Sequence, residues 1–264
     1  MLNQLKFDFY KAIKSKGIII AFIASFFNFI FIFVKSLLDP YYGSVMSNWL
    51  GGTEFALNVI IFSIVFCSQD FASGYLKNVY SNTSKLKYVL SKTLVLLAYT
   101  ILYFIITFLL YYLYSLFSGD GRIIHTKEMY DKGLTDNYDS FVYSKLIGAI
   151  LTQILGSVAL GLIINLLCVL FNRIIVGIVT VVWMSSSFSI YGIIDELLLK
   201  HFTIKIEDFT TVHYTVIWNL DNIHNFVYTF SPPNYHYTTA LIVFLVVGVI
   251  SFLLSWLAMC KKNF

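Results

Sequence analysis

The apolar residues of this chain come in long blocks, 18–38, 51–69, 93–117, 146–171, 174–194 and 239–259, separated by polar or mixed segments. Each block reaches the length of about 20 residues at which a helix crosses roughly 30 Å of hydrocarbon. Barrel strands would need apolar and polar residues to alternate over about ten positions, a pattern the blocks lack. Helices are the remaining way to satisfy every backbone N–H and C=O in lipid. The pattern therefore predicts an all-α membrane protein with six transmembrane helices. The second block is the least regular, with Glu54 and Asn58 near its start, so it is expected to tilt or to border a polar cavity.

The segments between the blocks are unequal. At the N-terminus Leu2, Leu5, Phe9 and Ile13 recur at helical spacing among Lys6, Lys11, Lys14 and Lys16. This predicts an interfacial amphipathic helix over 1–16, with Leu5, Phe9, Lys11 and Ile13 as its working residues. The apolar run from Ile18 is too long for a cleavable leader, and no small-x-small site follows it before Asp39, so the first span is expected to be retained. Spans four and five are joined by little more than Asn172 and Arg173, which predicts an antiparallel hairpin. The loop 118–145 is acidic, with Asp120, Glu128, Asp131, Asp136 and Asp139, and reads as solvated. The stretch 195–238 mixes charge with Leu197, Phe202, Phe209, Trp218 and Phe230. It predicts external helices near the headgroups before Ser231-Pro232-Pro233 stops them.

The connection from Asp70 to Lys92 is the most distinctive. Gly74 permits a sharp turn, Asp70 or Ser73 can cap a following helix, and Tyr75, Leu76, Val79 and Tyr80 give that helix an apolar face. Such a helix presents itself to a cytoplasmic partner. No repeat or Pro/Gly-rich linker divides the chain, which reads as one membrane domain over 1–264.

Composition agrees with the pattern: 58% of residues are hydrophobic and only 12% charged, about half the usual charged share of a soluble domain. A soluble enzyme, a nucleic-acid reader and a disordered protein are excluded. Charge then orients the spans. Lys6, Lys11, Lys14, Lys16, Lys77, Lys85, Lys87, Lys92, Arg173, Lys261 and Lys262 share one side with only Asp8 and Asp70 as acids. That side is the cytoplasm, with both termini inside. The histidines His125, His201, His213, His224 and His236 all fall in external loops, and no metal site is expected. Cys67, Cys168 and Cys260 lie in spans or at their inner ends, where no disulfide framework is expected.

Catalytic chemistry is missing from the pattern. There is no H-E-x-x-H, G-x-S-x-G, G-x-G-x-x-G or G-x-x-x-x-G-K-[ST] run. The chain carries no cofactor of its own, and any ATP and Mg must be held by another subunit. Inside the spans the polar residues are Asn28, Asn58, Gln153, Asn165 and the serines around Ser186. They either line a translocation path or stitch helices together.

The segment around Asp70 resembles the permease subunits of type-2 ABC exporters. The resemblance rests on Asp70 at the inner end of span two, Gly74 four residues on, Lys77-Asn78, the pair Ser84-Lys85, and Lys92 leading into span three. It extends to the whole layout: basic N-terminal helix, six spans, short turn between spans four and five, and external segment before the last span. Where the family often carries Glu and Arg, this chain has Asp70 and Lys85.

The resemblance implies a bacterial cytoplasmic-membrane permease that pairs with a second copy or homologue and with cytoplasmic ABC ATPase subunits. Asp70, Gly74, Tyr75, Lys77, Asn78, Tyr80, Lys85 and Lys87 would form the ATPase-coupling segment, together with the interfacial helix. Small permeases of this kind are similar to those that export amphipathic peptides such as lantibiotics and bacteriocins, or protect the producing cell from them. The alternative is an immunity or sensor protein that binds a toxic peptide without ATP. The lysines of the loop are equally explained by inside retention and contact with anionic lipid.

Overall fold

The computed structural model describes residues 2–14, 19–20, 22–23, 26–27, 30, 34, 53–72, 84–117, 138–171, 175–180, 197, 200–201 and 237–261. Within them the chain is helical, without a strand. Five helices have defined ends: α1 (Leu2–Lys14), α2 (Thr53–Ala72), α3 (Lys85–Phe117), α4 (Tyr138–Leu170) and α5 (Tyr237–Lys261). Among the described residues three stretches are long and apolar enough to cross a membrane, Lys85–Leu110, Ile150–Leu170 and Thr238–Lys261, and Asn58–Asp70 is a shorter apolar helix. This is the make-up of a membrane protein.

Two helices outrun the apolar blocks. At 33 residues each, α3 and α4 extend about 50 Å, well beyond the roughly 30 Å of hydrocarbon. α3 begins eight residues before the expected edge of its span. Ser84 stands just outside it, and its carbonyl accepts the first helical bond from the Tyr88 N–H at 3.2 Å, as a serine cap position should. The first turns of α3 therefore carry Lys85, Lys87 and Lys92 on a helix rather than in a loop. Lys85 and Lys87, part of the connection as read from the sequence, thus stand on the first turn of α3. α4 likewise begins in what reads as the acidic loop, and α2 and α5 fall within a few residues of their expected ends.

α4 packs along both α5 and α2, and also meets α3; α3 in turn meets α5, α2 and α1. The shared core contains Val59, Phe62, Phe66, Leu96, Leu160, Ile164 and Phe244. Its aromatic members line up: the Phe62 ring stacks on Phe66 at 5.3 Å and on Tyr99 at 3.5 Å, and Tyr99 is parallel to Tyr103 at 6.2 Å. Phe22 meets Tyr99 edge-on at 5.8 Å. A smaller cluster of Tyr88, Val89, Val169 and Met259 joins the ends of α3, α4 and α5. The outward faces of α3 (Ile101, Ile105, Leu109) and α5 (Leu245, Val249, Leu253) stay apolar and exposed, as helices bordering lipid tails require.

Candidate functional site

The site grows from one face of α1. Gln4, Asp8, Lys11 and Ala12 are spaced three and four residues apart and so share a side of the helix. That side turns towards the bundle: Asp8 and Ala12 are buried and Lys11 is half-buried, while Leu2, Tyr10 and Ile13 are exposed. Of the residues expected to define the interfacial helix, Leu5 and Phe9 pack against the core and Lys11 turns inward. Ile13 points away, 74% exposed.

Asp8 is wholly enclosed. Its Oδ2 accepts from the Ser91 hydroxyl at 2.6 Å and from Gln4 Nε2 at 3.0 Å, and its Oδ1 takes Lys92 Nζ at 3.0 Å. Asp70, at the inner end of α2, is the second carboxylate. Its Oδ2 accepts Lys92 Nζ at 2.5 Å and the Tyr88 hydroxyl at 2.7 Å, and its Oδ1 pairs with Lys11 Nζ. Lys92 therefore sits between two acids, with its ammonium 4.0 Å above the Phe66 ring and 5.3 Å from that of Tyr88. Asp8, Asp70 and Lys92 have no exposed side-chain area.

Two carboxylates and two ammoniums leave the cluster formally neutral. That balance is what makes it tolerable, because an uncompensated buried charge costs several kcal/mol where a compensated one roughly breaks even. Ser91, Tyr88 and Gln4 fill further lone pairs, and the Phe66 face supplies a site for the cation without adding a charge. Burial lowers the Lys11 ammonium from 10.5 to about 8, with the neighbouring Lys92 acting in the same direction and Asp8 opposing both. Both carboxylates accept from a hydroxyl as well as from an ammonium, Asp8 from Ser91 and Asp70 from Tyr88. The arrangement ties three segments, α1, the end of α2 and the start of α3, into one unit.

Of the residues proposed for ATPase coupling, Asp70 is thus joined to Lys11 of the N-terminal helix. Gly74, Tyr75, Lys77, Asn78 and Tyr80 lie outside the described residues. Lys85 is directed elsewhere, its Nζ donating to the Cys260 carbonyl at 3.2 Å at the end of α5, and Lys87 is exposed. Tyr88 and Ser91 were not singled out by the sequence; Asp8 and Lys92 entered the charge count that orients the spans, and Lys92 the family resemblance, but neither was assigned to a buried pair. One signal was available, since Asp8 is the lone acid among the lysines of α1.

The polar residues within the spans separate in the same way. Asn58 is closed off, its Oδ1 accepting the Tyr99 hydroxyl at 2.8 Å. Gln153 and Asn165 are buried on α4; Asn28 and Ser186 lie outside the described residues. Cys67 and Cys168 are buried free thiols and Cys260 is an exposed one. The chain matches no protein-family model, no curated protein and no solved structure.

Proposed function

We propose that this chain is the membrane subunit of an ATP-driven exporter of the type-2 ABC kind, moving an amphipathic or hydrophobic substrate, a peptide first of all, out of the cell or the membrane. On this reading it spans a bacterial cytoplasmic membrane six times with both termini inside. It works with a second permease copy or homologue and with separate ATPase subunits that bind ATP and Mg.

The observation that carries the reading is the buried cluster of Asp8, Lys11, Asp70 and Lys92. An ATPase acting on a permease from below needs a grip that does not dissipate in loose loops. Here the N-terminal helix and both flanks of the connection 73–83 are joined through charges that cannot separate without leaving a bare ion in a dry setting. A push on the connection would then move α1, α2 and α3 together. The resemblance assigns ATPase contact to the same three segments.

The test is purification of the tagged full chain from its native membrane in mild detergent, with identification of what accompanies it. The expected result is a Walker-motif ATPase near equal stoichiometry, released when Tyr75 to Tyr80 are deleted while the helices stay folded. A chain that purifies alone, under conditions that preserve other membrane complexes, would overturn the exporter reading in favour of an ATP-independent peptide-binding protein.

A further inference from the structure

Most buried hydroxyls among the described residues are satisfied within their own helix. Ser63, Thr100, Thr107, Thr152, Thr180 and Ser255 each donate to the carbonyl four residues earlier on their own helix, at 2.6 to 2.9 Å. Such back-bonding is how a hydroxyl is made harmless inside a membrane helix. Ser157 on α4 is fully buried, yet its Oγ has no partner among the described residues. Two turns on, Asn165 is fully buried and neither its amide oxygen nor its amide nitrogen has a partner among them.

These residues are in register. Gln153, Ser157, Gly161 and Asn165 are four apart and run as a slowly turning stripe along α4. Nearby buried polar side chains are satisfied: Asn58 receives Tyr99, and Thr152 returns to Gly148. In hydrocarbon an unpaired amide is too costly to keep for packing alone. Asn165 offers two N–H donors and a carbonyl acceptor, the same complement as a peptide group. Ser157 and Asn165 stand about 12 Å apart along the axis, a distance that an extended peptide covers in about four residues.

We infer that this face of α4 is a waypoint for the substrate, hydrogen-bonding the main chain of an extended peptide with little regard to its side chains. The inference rests on the exporter reading, and names what the exporter recognises. A peptide entering the bilayer has its own unpaired N–H and C=O groups, so the stripe and the substrate satisfy each other's need. In the structure the stripe is shut. A Cβ on Gly161 would stand 3.0 Å from Ser63 Oγ of α2 and 3.5 Å from the Leu96 methyls of α3. Opening therefore means α2 and α3 leaving α4, and the ionic cluster already binds α2 and α3 to each other.

The experiment uses the full chain in nanodiscs of phosphatidylglycerol and phosphatidylethanolamine, with empty nanodiscs as the baseline. The probes are a fluorescent Lys/Leu amphipathic peptide, its scrambled form, and the same peptide N-methylated at alternate amides. Expected are equal binding of parent and scrambled peptides and about tenfold weaker binding of the N-methylated one. Asn165→Leu with Ser157→Ala should bring the parent peptide down to the N-methylated level. Thr152→Val, whose hydroxyl is already satisfied, should leave binding unchanged.

Equal binding of parent and N-methylated peptides, or no binding above empty nanodiscs, would overturn the inference and leave the stripe as a site for water only. The peptide comparison needs no substitution, so it decides the matter even if the Asn165 variant does not fold. An ATPase that co-purifies with a chain blind to N-methylation would sink this inference while leaving the exporter reading intact.

Discussion

Replacing Lys92 with Met should be among the most damaging single changes in the molecule. Methionine keeps most of the apolar stem and the contact with Phe66, so the loss is confined to the charge. The ammonium lies 3.0 Å from Asp8 Oδ1 and 2.5 Å from Asp70 Oδ2. Without it Asp70 still has Lys11 and the Tyr88 hydroxyl, but Asp8 keeps only the neutral groups of Ser91 and Gln4. One buried carboxylate is left uncompensated, a change that costs about 3–5 kcal/mol.

The same argument predicts that a second substitution repairs the first. Asp8→Asn with Lys92→Met removes the surplus charge and leaves Asp70 paired with Lys11. The double variant should therefore be more stable than Lys92→Met alone, by about 1–3 kcal/mol. Reversible unfolding in mixed micelles by SDS titration, followed by tryptophan fluorescence, measures all three proteins on one scale. A Lys92→Met variant within about 1 kcal/mol of the parent chain, or a double variant whose loss is the sum of the singles, would refute the account of a neutral, mutually dependent cluster.

Further outcomes follow from particular contacts. Lys11 titrates near 8 in the folded protein against 10.5 when free, so between those values the unfolded chain holds the extra proton and stability rises with pH. The stability of the parent chain relative to Lys11→Met should then increase from pH 8 to 10.5, and a decrease over that window would contradict the direction assigned to burial. Tyr99→Phe removes the bond to Asn58 while keeping the stack on Phe62, and should cost about 0.6 to 1.7 kcal/mol by the same SDS titration. Gly161→Ala places a methyl 3.0 Å from Ser63 Oγ, which is itself held by Val59 at 2.6 Å and gives way poorly. A loss of about 1 kcal/mol is expected, and an unchanged midpoint would mean that α2 and α4 approach less closely than described.

Much of the helical framework could be read in the chain. A block of apolar residues long enough to cross hydrocarbon has few structures open to it, because lipid offers the backbone no partner, so 146–171 and 239–259 lie almost wholly within α4 and α5. That constraint is local and survives ignorance of everything else in the molecule. The ends were less legible, as α3 shows: its polar first turns from Lys85 to Lys92 are helical, with the Ser84 carbonyl taking the first bond and Lys92 and Tyr88 finding partners on other helices.

The site was legible only in fragments. Periodicity put Asp8 and Lys11 on one side of α1, but nothing local says whether that side meets water or protein. The lysines of α1 and α3 read as charges facing the cytoplasm, which requires exposed side chains, and Lys6 and Lys14 are exposed. Lys92 is not: it is 84 residues from its partner Asp8 and becomes part of a buried neutral cluster. Such pairing depends on which helices come together and at what height. The sequence by itself determined that the chain folds as membrane helices, since the cost of an unpaired backbone in lipid is paid residue by residue. Only the tertiary structure decided which charges cancel and which polar groups on α4 find no partner among the described residues, since those energies belong to contacts between distant segments.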